Sequence, residues 1–266
     1  MKSQRIPMSV EEYELLPWKR GWKYEYSGEA WITPREIVEV VTLEIRHQPF
    51  VTPYRIEHPR ETLHSQIFNG LASAYRDGIE FCDCEPQSFE QAIYAMTAQF
   101  ISLAQSRKHA WVITFPYDGG SRVLAGCYVK DLGERAVLES LFVRPEWQRA
   151  GLATALLHHL VNQLASQGKT SLESGYWLGN EASAAWHRAV GFRVLPDLNI
   201  TRLDRLHVWH ELERRERLSL GETEETKALK VELDRLEREI DRLEKIADEE
   251  GFAAVSPLLR QRGGED

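Results

Sequence analysis

The stretch Val143-Arg144-Pro145-Glu146-Trp147-Gln148-Arg149-Ala150-Gly151-Leu152-Ala153 constrains this chain most, because an apolar run enters it and an amphipathic helix pattern leaves it. Upstream, Ala136 to Val143 is rich in branched and aromatic residues and reads as a buried strand, which Pro145 ends because it cannot donate to a ladder. Downstream, Ala153, Leu156, Leu157, Leu160, Val161 and Leu164 recur at spacings of three and four, one stripe of a helix. A glycine-containing turn between strand and helix aims unpaired backbone N–H groups and the positive end of the helix dipole at one point. Phosphate is the natural occupant of such a cradle.

Further residues extend the pattern. Gln148-Arg149-Ala150-Gly151-Leu152-Ala153 resembles the Q/R-x-x-G-x-G/A signature of the GNAT N-acetyltransferases, and the stretch from Asn180 to Gly191-Phe192 resembles that family's second landmark, an Asn-led helix running into Gly-Phe. The resemblance implies a mixed α/β fold with a mostly antiparallel central sheet flanked by helices, here over residues 36–212. It also implies acetyl-CoA as cosubstrate and a primary amine as acceptor. The backbone of Arg149, Ala150, Gly151, Leu152, Ala153 and Thr154 is then expected to hold the pyrophosphate, with Gly151 keeping side chains out of its way. By the same resemblance Gln148 orders the loop, Leu141 and Val143 pair with the pantetheine arm, the Leu141 N–H meets the thioester oxygen, and Asn180 meets the distal arm or simply caps its helix.

Attack needs an uncharged amine, although an alkyl ammonium has a pKa of about 10, so a base is required. Glu139 is the candidate, two residues before Leu141 and so on its face of a regular strand. The departing thiolate needs an acid. Where many family members carry a tyrosine, this chain has His187, with Tyr176 as the next candidate and packing beside Trp186 as the plain alternative. Cys127 has no recognisable activating partner, so direct attack in a ternary complex is expected rather than a covalent intermediate. The alternative to an enzyme is a non-catalytic acyl-CoA-binding sensor or assembly module.

Elsewhere, Ser9-Val10-Glu11-Glu12 reads as a capping box and Trp18–Ile32 as a hairpin. Tyr24 to Trp31 resembles the opening hairpin of a restriction-like nuclease family, but the acidic metal cluster such a nuclease needs is not recognisable downstream. Residues 1–35 are therefore read as an added structural element. Strands are expected at Ile37–Ile45, Val51–Ile56, His109–Phe115, Arg122–Val129, Thr170–Trp177 and Phe192–Leu195, with an Asp118-Gly119-Gly120 turn between the third and fourth and Leu206–Leu212 as the closing strand. Helices are expected at Glu61–Tyr75 and from a second capping box, Ser88-Phe89-Glu90-Gln91. His207 and His210, three apart on that closing strand, would face opposite ways. Cys82 and Cys84 near His58 and His64 lack a recognised ligand spacing, and no metal is expected.

Leu229, Leu233, Leu236, Ile240, Leu243 and Ala247 mark a heptad seam within the charged segment 213–250, followed by a tail, 251–266. The flanks Glu232, Glu237, Glu239 and Glu244 oppose self-pairing, so docking on another surface, such as the Arg214-Arg215-Arg217 segment or a partner subunit, is favoured over a coiled-coil dimer. Of the formal net charge of −8, residues 211–250 carry −6, from 15 acidic against 9 basic side chains. The nearly neutral remainder argues against nucleic acid as the main partner. No apolar run reaches the length of a membrane span and no signal core follows Met1, so no membrane association and a cytoplasmic setting are expected.

Overall fold

A computed structural model describes residues 3–105, 109–117 and 120–262. The strands are β1 (Gln4–Ile6), β2 (Trp22–Tyr26), β3 (Ala30–Pro34), β4 (Val38–Glu44), β5 (Arg55–Glu57), β6 (Ala110–Tyr117), β7 (Gly120–Leu132), β8 (Arg135–Val143), β9 (Ser171–Trp177) and β10 (Arg193–Val194). The helices are α1 (Val10–Glu14), α2 (His64–Tyr75), α3 (Pro86–Gln105), α4 (Leu152–Ser166), α5 (Glu181–Ala189), α6 (Leu198–Arg217), α7 (Glu224–Glu250) and α8 (Pro257–Arg262). One sheet has the order β1-β3-β2 and the other β10-β4-β9-β8-β7-β6-β5, so the architecture is mixed α/β. The chain divides into two compact units, one of Val41–Gly175 and Ala185–Arg193, the other of Lys2–Val40, Tyr176–Ala184 and Val194–Asp266.

In the first unit β5 to β8 form an antiparallel run, and β8 pairs with β9 in parallel. The Asp118-Gly119 part of the hairpin turn lies outside the described residues. Two helical layers bury the sheet. Tyr128 of β7 meets Phe100 of α3 edge-on at 4.8 Å, and Phe142 of β8 lies so close to α2 that a Cβ on Gly70 would sit 2.6 Å from its ring. On the opposite face Trp111, paired with Cys127, meets His159 of α4. Side chains alternate along a strand, so Tyr128 marks the α2/α3 face and Cys127 and Val129 the α4 face. Helix α3 starts at Pro86, with Phe89 N–H bonded to Glu85 O, so Ser88 lies inside the first turn and is not the cap the sequence pattern implied.

The second unit corrects the expected closing strand. Residues 206–212 belong to α6, which starts at Asp197, whose carboxylate accepts from the N–H groups of Asn199 and Ile200. The Leu206/Val208 alternation mimics a half-buried strand, yet Leu206 is exposed and the cap sets a helical course. The sheet position beside β9 is taken by β4, with Leu178 N–H donating to Ile37 O at 2.8 Å in this unit and Ile45 N–H to Thr170 O at 3.0 Å in the other. On a helix, three residues apart means one side. His207 and His210 both meet Trp18, His210 stacked on it at 3.8 Å, which reverses the expectation of opposite faces. Helix α7 packs on α6 of the same chain, with Ile240 and Leu243 buried against Leu198, and Arg202 and Arg205 paired with Glu244 and Glu237. The flanking glutamates thus find arginines within the chain. The Ser9/Glu12 capping box is present as expected.

Candidate active site

The glycine turn and the helix after it form where the sequence placed them. Beyond β8 a single 3-10 turn, Pro145–Trp147, leads to Gln148, Arg149 and Ala150, all exposed. Arg149 (φ 65°) and Gly151 (φ 80°) both lie in the left-handed region, which is rare for arginine and turns the intervening N–H groups toward one side. Gly151 is the N-cap of α4 and supplies no side-chain cap; the first helical bond is Ala155 N–H to Gly151 O, at 2.9 Å. The N–H groups of Leu152, Ala153 and Thr154 precede that bond and have no partner in the helix itself. A Cβ on Gly151 would meet nothing within 4 Å, so it would project into the open mouth of the turn.

One side chain bonds to this turn directly and others lie in its surroundings. Tyr54 donates to Ala150 O at 2.6 Å, and Gln48 and Asn162 exchange two bonds of 2.9 Å. Arg144, buried at the end of β8, donates to Val123 O at 2.6 Å and Gln66 O at 3.1 Å. Burial pulls its guanidinium below the ordinary arginine value. Sequence reasoning assigned no role to Arg144 or Tyr54, since neither lies in the Gln148–Ala153 signature; a charged side chain at an otherwise apolar strand end was the only hint.

The β8 register supplies the second feature. Tyr128 pairs with Ser140 and Val129 with Leu138, which leaves Glu139 as the inserted residue of a β-bulge. The regular alternation that would have put Glu139 on the face of Leu141 is broken there. Glu139 is exposed and interacts electrostatically with Tyr128, whose hydroxyl is pushed up first by burial and then by this carboxylate. The ladder with β9 ends at Leu138↔Ser174, whereas that with β7 continues to Ala125↔Val143. Arg144 N–H bonds to Leu124 O on the β7 side, so by alternation the N–H groups of Leu141 and Val143 point to the other edge, past the end of the β9 ladder.

His187 is buried on α5, edge-on to Trp186 and Phe192, with Nε2 2.9 Å from Ser174 Oγ. In the second unit, Asn180 caps α5 by accepting from Ser183 N–H at 3.0 Å. Tyr176, also in that unit, donates to the buried Glu39 carboxylate, which Arg20 holds at 2.6 Å while binding Asp204 at 2.7 Å. Cys127 is fully buried and its thiol is pushed up to about 12, the opposite of an activated nucleophile. Among the described residues no three His, Cys, Asp or Glu side chains gather as a metal site would need, and no helix is long and apolar enough to cross a membrane.

Comparison with known proteins adds to this geometry. Residues 73–192 match the acetyltransferase (GNAT) family. A 59-residue stretch is 36% identical to the ribosomal protein bS18 alanine N-acetyltransferase of Escherichia coli (strain K12), covering 22% of this chain and 40% of that protein. The chain therefore spans well under half the length of the curated relatives it matches. Among solved structures, the PaiA N-acetyltransferase of Thermoplasma acidophilum in complex with coenzyme A aligns over 54% of this chain and 92% of that one, at 12% identity and a TM-score of 0.47. The ribosomal-protein-S18-alanine N-acetyltransferase of Escherichia coli aligns over 53% and 77%, at 20% identity and a TM-score of 0.37.

Proposed function

We propose that this protein, whose residues 73–192 match the acetyltransferase (GNAT) family, transfers an acetyl group from acetyl-CoA to a primary amine by direct attack, with both substrates bound at once. The observation that carries this reading is the uncapped start of α4 beside the open edge of β8. Coenzyme A brings a matching pair of groups: a diphosphate for the N–H groups from Arg149 to Thr154, and an amide-bearing arm that adds to Leu141 and Val143 like a strand. Gln148 belongs to the same turn and keeps its loop role in this reading. The Leu141 N–H then faces the thioester oxygen as negative charge develops on it.

The incoming ammonium gives its proton to Glu139, directly or through water. For the departing thiolate, His187 is favoured over Tyr176. A Tyr176 that gave up its proton would leave a phenolate against the Glu39 carboxylate, two anions side by side in a buried place. The absence of an activated thiol at Cys127 supports direct attack over a covalent route.

The test is thiol release from acetyl-CoA in the presence of small amines, lysine peptides and peptides with an N-terminal alanine, the last because of the relative's acceptor. Release that depends on the amine, and a fall of about a hundredfold in kcat for Glu139→Gln, is the expected result. Tight acetyl-CoA binding with no release for any amine would instead favour the acyl-CoA sensor.

A further inference from the structure

The strand register separates two proton-handling groups onto opposite faces of the sheet. Paired residues share a face, so Ser140 and the bulged Glu139 go with Tyr128, on the α2/α3 side. Leu138 goes with Val129, and Ser174, paired with Leu138, therefore lies on the α4 side. Ser174 is also the last β9 residue laddered to β8, immediately before the two strands lose their pairing and beside the Leu141 edge. Ser174 is 97% buried and its hydroxyl stands 2.9 Å from Nε2 of His187, whose ring also meets Trp186 and Phe192 and whose carbonyl accepts from Phe192 N–H. His187 thus has its Nε2 turned toward Ser174.

We propose that Ser174 is a catalytic residue that relays a proton from His187 to the departing coenzyme A thiolate. This rests on the acetyl-transfer reading above. When the tetrahedral intermediate collapses, the C–S bond breaks and sulfur leaves with the electron pair. The thiolate takes the Ser174 Oγ proton as Ser174 takes the Nε2 proton of the His187 imidazolium, which becomes neutral and regains a proton from water. As the C–N bond forms the nitrogen loses two protons, one from the ammonium before attack and one from the tetrahedral intermediate, and Glu139 on the other face takes each in turn, passing the first to water before it takes the second. Donor-side and acceptor-side protons are thereby kept apart by the sheet, and the bulge at Glu139 is what divides them. A histidine at the helix position can serve where a longer phenol would reach directly, because the serine bridges the remaining distance.

The experiment compares Ser174→Ala, Ser174→Thr, His187→Gln and the Ser174→Ala/His187→Gln pair in the full-length protein, reading kcat, KM, acetyl-CoA affinity and the solvent deuterium isotope effect on kcat. Ser174→Ala is expected to lower kcat by about a hundredfold with acetyl-CoA affinity retained, and threonine, which keeps the hydroxyl, to restore most of it. The double variant should be no slower than either single one, as expected of groups acting as a unit. The isotope effect should shrink once the relay is removed, which loss of packing alone would not produce. Wild-type kcat in Ser174→Ala, or additive losses in the double variant, would overturn the relay. If His187→Gln does not fold, the alanine and threonine variants at Ser174 decide alone. A wild-type protein that transfers no acetyl group would overturn the functional reading and the relay together, whereas an active wild type with an indifferent Ser174 overturns only the relay.

Discussion

Helices α4 and α6 begin in opposite ways. At α6 the Asp197 carboxylate takes the N–H groups of Asn199 and Ile200 at 2.9 and 3.1 Å, so the free donors and the dipole are met by the chain's own side chain. Helices α1 and α7 are closed in the same manner, by Ser9 and Thr223. At α4 the cap is a glycine without a side chain, preceded by an arginine held in a left-handed conformation. A helix start that supplies its own acceptor is complete as a structural element. One that omits it, and bears backbone strain beside it, has donors to offer a ligand.

The contrast can be broken most severely at Gly151. Gly151→Glu places a carboxylate in the open mouth of the turn, where like charge costs several kcal/mol, so acetyl-CoA affinity by calorimetry is expected to fall about a hundredfold or more while circular dichroism stays native. A folded variant with unchanged affinity would remove the cradle from the account. The reciprocal change at α6 is smaller: Asp197→Ala should cost about 1 kcal/mol of stability in denaturant unfolding and leave acetyl-CoA affinity as it was. Loss of affinity there would show that the two helix starts are not independent.

The smallest expected effect is one of pH, and it concerns the histidine side of α6. His207 and His210 are held below the ordinary value of 6.5, first by burial, in surroundings that include Arg20, Arg35, Arg214 and Arg217 as well as Asp204 and Glu211. Folding favours their neutral forms, so the unfolded chain binds more protons as pH falls past 6.5. Their contribution to stability is therefore intact above that value and is lost as pH falls through and below it. Thermal unfolding should shift to lower temperature from pH 7.5 to pH 5.5, and His210→Phe, which keeps the stack on Trp18, should flatten that dependence. An unchanged slope would place the titration elsewhere.

Legibility in the sequence followed the range of the interactions. The cradle could be read because strand, turn glycine and helix stripe are contiguous, and each signal is local. The Ser9 capping box could be read for the same reason. Leu206–Leu212 could not, because its alternation matches a strand over seven residues while the deciding cap, Asp197, lies well upstream. The place of β4 beside β9 joins residues far apart in the chain and leaves no local trace. The bulge at Glu139 is a property of pairing with β7, so the spacing to Leu141 put Glu139 on the wrong face. Ser174 was passed over as an ordinary strand residue, and only the register and the His187 distance single it out.

On this reading the start of α4, and not that of α6, receives the coenzyme. Titrating coenzyme A into isotopically labelled protein and following the backbone amide resonances tests it directly. The amides of Leu152, Ala153 and Thr154 are expected to shift strongly and saturate together, while those of Asn199 and Ile200, already bonded to Asp197, stay in place. Saturation of the protein with the α4 amides unmoved would contradict it.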